Sequence, residues 1–199
     1  MCNKLPNINA KEVLLVGTSP QLDFDLLKMY SENFSIGLHR VHKIYPLTSW
    51  RPSVLFLGDE ALIIQQGKEI IAAQDAKTII ATGRCFWIPL SIWRNKISYL
   101  KLRQKSTGDF TNDGSSVWRD DETYIVGDSV FCLAIQYCIK ERVRKIIITG
   151  VNFNYDQGYV DASISNNGIN QPRPFEAKMQ YVFFRKICAE IGIEVDHEF

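Results

Sequence analysis

The chain alternates between short unbroken apolar runs and longer stretches in which apolar residues recur every three or four positions. "EVLLVG" at 12–17, bounded by charge and glycine, predicts a strand covered on both faces. After Pro20, "QLDFDLLKMYSEN" carries Leu22, Leu26 or Leu27, and Tyr30 at helical spacing, with Thr18 or Ser19 ahead of the proline able to cap. "FSIGL" at 34–38, "SVLFLG" at 53–58 and "KTIIAT" at 77–82 repeat the strand pattern. Between the last two, "EALIIQQGKEIIAAQ" at 60–74 predicts an amphipathic helix.

The rhythm breaks between Gly83 and Asp121, where Trp87, Trp93 and Trp118 are spread through a segment whose last third is polar and turn-rich. One strand is predicted near 97–102, then an exposed loop, with "ETYIVG" as a short extended piece. "DSVFCLAIQYCIKER" at 128–142 is apolar almost all round, so it predicts a central helix, with Asp128 as its cap. "RKIIITG" at 144–150 is a further buried strand, and residues 151–173 turn to Asn, Asp, Gly and Ser, a long surface loop. "PFEAKMQYVFFRKICAEIG" starts a helix at Pro174 and places Phe175, Met179, Val182, Phe183 and Ile187 on one face; "IEVDH" closes the chain as a strand. Such alternation predicts an α/β fold, Rossmann-like, with a mostly parallel sheet and helices on both faces. A single domain over 1–199 is expected, with a variable loop region at about 83–121.

Composition narrows the function classes. The 199 residues are 46% hydrophobic and 23% charged, an ordinary globular mixture. Lys and Arg number 23 against 22 acids, so the formal charge of +1 provides no field to attract nucleic acid or a membrane surface. Five cysteines (Cys2, Cys85, Cys132, Cys138 and Cys188), odd in number and without a CxxC pair, predict a reducing, cytoplasmic setting. No apolar run reaches the roughly 18 residues that span a bilayer, and the N-terminus lacks a secretion signal. Three scattered histidines offer no zinc spacing, and there is no GxSxG elbow.

In open parallel sheets, ligands collect at the carboxyl ends of the strands. Those ends read "GTSP", "GLHR", "LGDE", "TGR" and "TGVNFNY". Gly17, Thr18 and Ser19 could admit a phosphate or carboxylate, although a plain capped turn explains them equally. Arg40 could fork onto a phosphate, and His39 could carry a proton or contact ribose; His42 and Lys43 read as a solvated basic loop. Asp59 and Glu60 at the end opened by Gly58 could bind ribose or help hold magnesium, or else serve as the cap and first turn of the next helix. Asp128 and Ser129 precede the central helix. Gly150, Asn152, Asn154, Tyr155 and Tyr159 form the richest polar set, suited to base edges, ribose and ring faces.

Taken together, "VLLVGTSPQLD", "FSIGLHR", "SVLFLGDE" and "DSVFCLAIQYCIKERVRKIIITGVNFNY" resemble segments of the bacterial lipooligosaccharide sialyltransferases. They are similar also to the related motility-associated glycosyltransferase and MptE-like pyrophosphokinase families. The resemblance spans most of 12–155. It places Thr18, His39, and Gly58 or Asp59 where the sialyltransferases carry nucleotide-binding asparagines, and Ser129 on a nucleotide-contacting hydroxyl. Gly150, Asn152 and Asn154 fall on a "G-x-D-F-Y" type segment, with Asn152 in place of the acid and Asn154 in place of the tyrosine. What it implies is a GT-A-variant-like sheet that grips a nucleotide sugar, with CMP-sialic acid the best-known donor, a glycan or glycoconjugate acceptor and no metal. The family's lid histidine has no counterpart in 156–196, and His197 comes after that segment; the chain also stops before the family's usual extension. Candidate bases are therefore Asp59, His39 and Asp156, in that order. A magnesium-dependent pyrophosphokinase using Asp59 and Glu60, and a catalytically silent nucleotide- or glycan-binding module, are the alternatives.

Overall fold

The computed structural model describes residue 8 and residues 11–73, 77–80, 97–103, 123–125, 129–153 and 174–197. In chain order the elements are β1 (Glu12–Val16), α1 (Phe24–Met29), β2 (Ser35–Leu38), a 3-10 turn (Val41–Ile44), β3 (Val54–Leu57) and α2 (Glu60–Ala72). There follow β4 (Lys77–Ile80), β5 (Ile97–Tyr99), β6 (Leu102–Arg103), β7 (Tyr124–Ile125), α3 (Val130–Lys140), β8 (Lys145–Thr149), α4 (Pro174–Glu190) and β9 (Glu194–His197).

Seven strands form one sheet in the order β5-β4-β3-β2-β1-β8-β9, and every pairing is parallel. The α/β, Rossmann-like expectation is therefore met. Strand alternation sorts the core into two layers. Val13, Leu15, Ile36, Val54, Phe56, Ile146 and Ile148 face α3 and α4, while Leu14, Val16, Leu55, Leu57 and Ile147 face α1, the 3-10 turn and α2. Because both faces are covered, β1, β3 and β8 read as unbroken apolar runs. β6 and β7 form a separate two-stranded parallel pair. The buried Gln136 amide of α3 holds it by accepting from Ile125 N (2.9 Å) and donating to Ile125 O (3.0 Å), so the polar residue inside the apolar helix acts as a strand edge.

Several local expectations change. Thr18 and Ser19 do not cap α1. The helix begins after Asp23, whose carboxylate accepts from Asp25 N and Leu26 N. Ser129, not Asp128, caps α3, its hydroxyl accepting from Phe131 N at 3.2 Å. His42 is buried in the 3-10 turn rather than solvated, and Lys43 pairs with Glu69 of α2 at 3.5 Å. On α4, Phe183 and Ile187 are buried as expected, but Phe175, Met179 and Val182 face solvent, and Ala177, Gln180, Tyr181, Phe184 and Cys188 are buried in their place. The inward face is thus rotated from the one that hydrophobicity alone picks out. Cys132, Cys138 and Cys188 are buried and not in disulfides. The tryptophan-bearing region at about 83–121, apart from 97–103, lies outside the described residues, as does most of the loop at 151–173.

Candidate functional site

With every strand parallel, all carboxyl ends share one edge, and this decides where the predicted residues stand. Gly17 to Ser19 follow β1, His39 and Arg40 follow β2, Gly58 and Asp59 follow β3, and Gly150 to Asn152 follow β8. Ser129 joins them, because Gly58 lies against Val130 at the start of α3: a Cβ on Gly58 would come within 2.9 Å of that side chain. The strand order reverses between β1, which leads outward to β5, and β8, which leads the other way to β9. That is the switch point at which open α/β sheets form their crevice. Asp128, Asn154, Tyr155, Asp156 and Tyr159 lie outside the described residues.

Hydrogen bonds tie the two sides of the switch point together. Gly17 N donates to Thr149 O (2.9 Å) and Ser19 N to Gly150 O (2.8 Å), while Asp23 N donates to Thr149 Oγ1 (2.9 Å). Gly17 and Gly150 are glycines because they touch each other. A Cβ on Gly150, whose φ is +64°, would fall 2.6 Å from Gly17 O. Their absent side chains make room for backbone here, a more immediate reason than the approach of a ligand. Ser19 is buried, and its Oγ has no hydrogen-bond partner. A hydroxyl desolvated in this way gains free energy from any ligand oxygen that reaches it.

One crossover away, His39 occupies a left-handed backbone conformation, φ 48°, uncommon outside glycine, though asparagine, aspartate and histidine adopt it more often than other residues. Its amide donates to Phe56 O (2.9 Å), tying the turn after β2 to β3, and its half-buried ring keeps Nε2 sealed from solvent without a partner. Burial holds the imidazole down to about 4, against an upward pull from the Asp59 carboxylate and a further push down from Arg40. The ring is therefore neutral at pH 7. Asp59 caps α2, with Oδ1 accepting from Ala61 N (2.9 Å) and Leu62 N (3.2 Å), so the capping alternative holds for this residue. Among the described residues no group of three His, Cys, Asp or Glu side chains could hold a metal ion.

His197 and Tyr181 also stand at this rim. At the carboxyl end of β9, His197 places Nε2 2.9 Å from Val151 O and Nδ1 2.7 Å from Tyr181 Oη. In the sequence His197 lies 46 residues from Val151, and only the parallel pairing of β9 with β8 brings the two together. The histidine at the end of a predicted last strand was the available signal.

No family model, curated protein or solved structure matches this chain. Among the described residues no helix is long and apolar enough to cross a membrane.

Proposed function

We propose that the carboxyl edge of the sheet binds a nucleotide-activated sugar and that the protein is a glycosyltransferase, with a CMP-linked sugar as donor and a glycan or glycoconjugate hydroxyl as acceptor. The observation that carries this reading is the reversal of strand order between β1 and β8, with the desolvated, unpartnered Ser19 hydroxyl beside it. A ligand oxygen supplies what that hydroxyl lacks, and Ser129, Asn152 and Arg40 add polar groups along the same edge. His39 is the base in this reading. A phosphate-bearing ligand nearby raises the pKa of the imidazole, and Asp59 contributes its charge while its Oδ1 stays on the cap.

A thermal-shift series with CMP, UDP, GDP, ADP and a pterin tests the proposal. CMP is expected to give the largest shift, since occupancy at 100 times Kd adds about 2.7 kcal/mol. Asn152→Ala should lessen that shift without lowering the ligand-free midpoint. If no nucleotide moves the midpoint, the reading is wrong. Asp59 engaged in a cap and His39 sealed in the fold favour one alternative, a module that binds without turnover. It is recognised by a CMP shift with no sugar transfer from a CMP-sugar donor.

A further inference from the structure

We propose that His197 and Tyr181 form a hydrogen-bonded latch that positions the loop after β8, Gly150 to Phe153, and so sets the geometry of the ligand crevice. The directions of the bonds follow from the atoms. A carbonyl only accepts, so His197 Nε2 carries a proton and donates to Val151 O across 2.9 Å. In the neutral ring Nδ1 is then an acceptor, and Tyr181 Oη, 2.7 Å away, donates to it. The Arg185 guanidinium, one turn further along α4, acts on the Tyr181 hydroxyl as a nearby positive charge. The chain of donors therefore runs from Tyr181 through His197 to the carbonyl of Val151, the residue between Gly150 and Asn152.

The latch is held in place by aromatic packing. Tyr181 is buried, with its ring centroid 5.5 Å from those of Phe131 and Phe153 and 5.1 Å from that of His197, edge-on. Phe131 lies in the first turn of α3, the turn capped by Ser129, and Phe153 belongs to the loop itself. One side chain of α4 thus joins the ends of β8 and β9 to the start of α3, three of the elements bordering the crevice. Among the described residues, the charged groups acting on His197 are Arg185 from α4 and Asp196 from β9. Protonation at Nδ1 would turn the acceptor of the Tyr181 hydroxyl into a second donor and set a cation beside Arg185. Burial and Arg185 oppose it, while the Val151 bond and Asp196 favour it, with a net downward shift.

The proposal rests on the nucleotide reading for the site it serves, but its first two tests need no ligand. In the full-length protein, ring ¹⁵N–¹H correlation at pH 6 to 8 should show His197 as the neutral Nε2–H tautomer. The Nδ1–H tautomer or an imidazolium overturns the latch. Hydrogen exchange should then speed up about tenfold at the Ser19 amide, which bonds to Gly150 O, in Tyr181→Phe and in His197→Ala. The His39 amide, bonded to Phe56 O, should stay unchanged. His197→Gln keeps an amide N–H where Nε2 stands, cannot titrate in this range, and should restore Ser19 exchange to within about threefold. Unchanged Ser19 exchange in Tyr181→Phe, or equal acceleration at His39, refutes local positioning, and Tyr181→Phe decides the matter if His197→Ala does not fold. CMP affinity should weaken about tenfold in Tyr181→Phe and in His197→Ala and stay within about threefold of the parent's in His197→Gln. A loosened loop with CMP affinity within twofold of the parent overturns the role in the site. Failure of the parent protein to bind CMP removes the nucleotide reading and leaves the tautomer and exchange results to judge the latch.

Discussion

Gly17 and Gly150 meet backbone to backbone at the point where the sheet changes direction, each occupying the space that the other's side chain would need. Gly17→Ala should therefore destabilise the fold by about 2 kcal/mol or more, the scale of forced overpacking against an atom that cannot move aside. Gly150→Ala adds the cost of a left-handed residue, φ +64°. Gly192 supplies the control. Its φ is +77° but nothing lies within 4 Å, so Gly192→Ala should cost only about 1 kcal/mol. Urea denaturation of the three variants checks the order.

Thr149 Oγ1 accepts from Asp23 N at 2.9 Å, coupling the end of β8 to the residue that caps α1. Thr149→Val keeps the shape and removes the acceptor. A loss of about 1 to 2 kcal/mol is expected, with faster hydrogen exchange at the Asp23 amide. An unchanged exchange rate would mean that the bond contributes nothing in solution.

Asp59 has two separable functions, a cap and a charge. Asp59→Ala should cost about 1 kcal/mol, while Asp59→Asn, a comparable capping residue, should stay within a few tenths. Removing the charge takes away the upward pull on His39, so its titration should move to lower pH in both variants, read by the ring proton shifts. A His39 titration that does not respond to Asp59→Asn would show the two residues to be uncoupled.

Acid should destabilise the protein well above the range in which carboxylates protonate. His39 and His42 are both held down to about 4 by burial, from an ordinary value of 6.5. Depressed bases of this kind contribute stability that is complete above pH 6.5 and lost as the pH falls through the interval to about 4, because the unfolded chain takes up protons first. Both ring nitrogens of His42 are buried without partners, so His42→Leu should flatten part of this slope while leaving stability at pH 7 unchanged or higher. Urea midpoints measured from pH 8 to pH 4 give the comparison.

Much of this molecule is written in local pattern. Runs such as VLLV and IIIT can hardly be anything but strands buried on both faces, and their alternation with amphipathic segments leads to a parallel sheet. Parallelism in turn places Gly17, His39, Asp59 and Gly150 along one edge. Local chemistry was less decisive where two residues competed for one task. Asp23 rather than Thr18 or Ser19 caps α1, and Ser129 rather than Asp128 caps α3, because the cap is whichever side chain the tertiary path leaves extended beside the free amides. Tertiary structure alone decided which strip of α4 turns inward, since the buried face follows contact with α3 and the sheet rather than the highest local hydrophobicity. It also brought His197 to Val151 and closed Gly17 on Gly150. Such contacts depend on register between strands distant in the chain, which no local periodicity encodes.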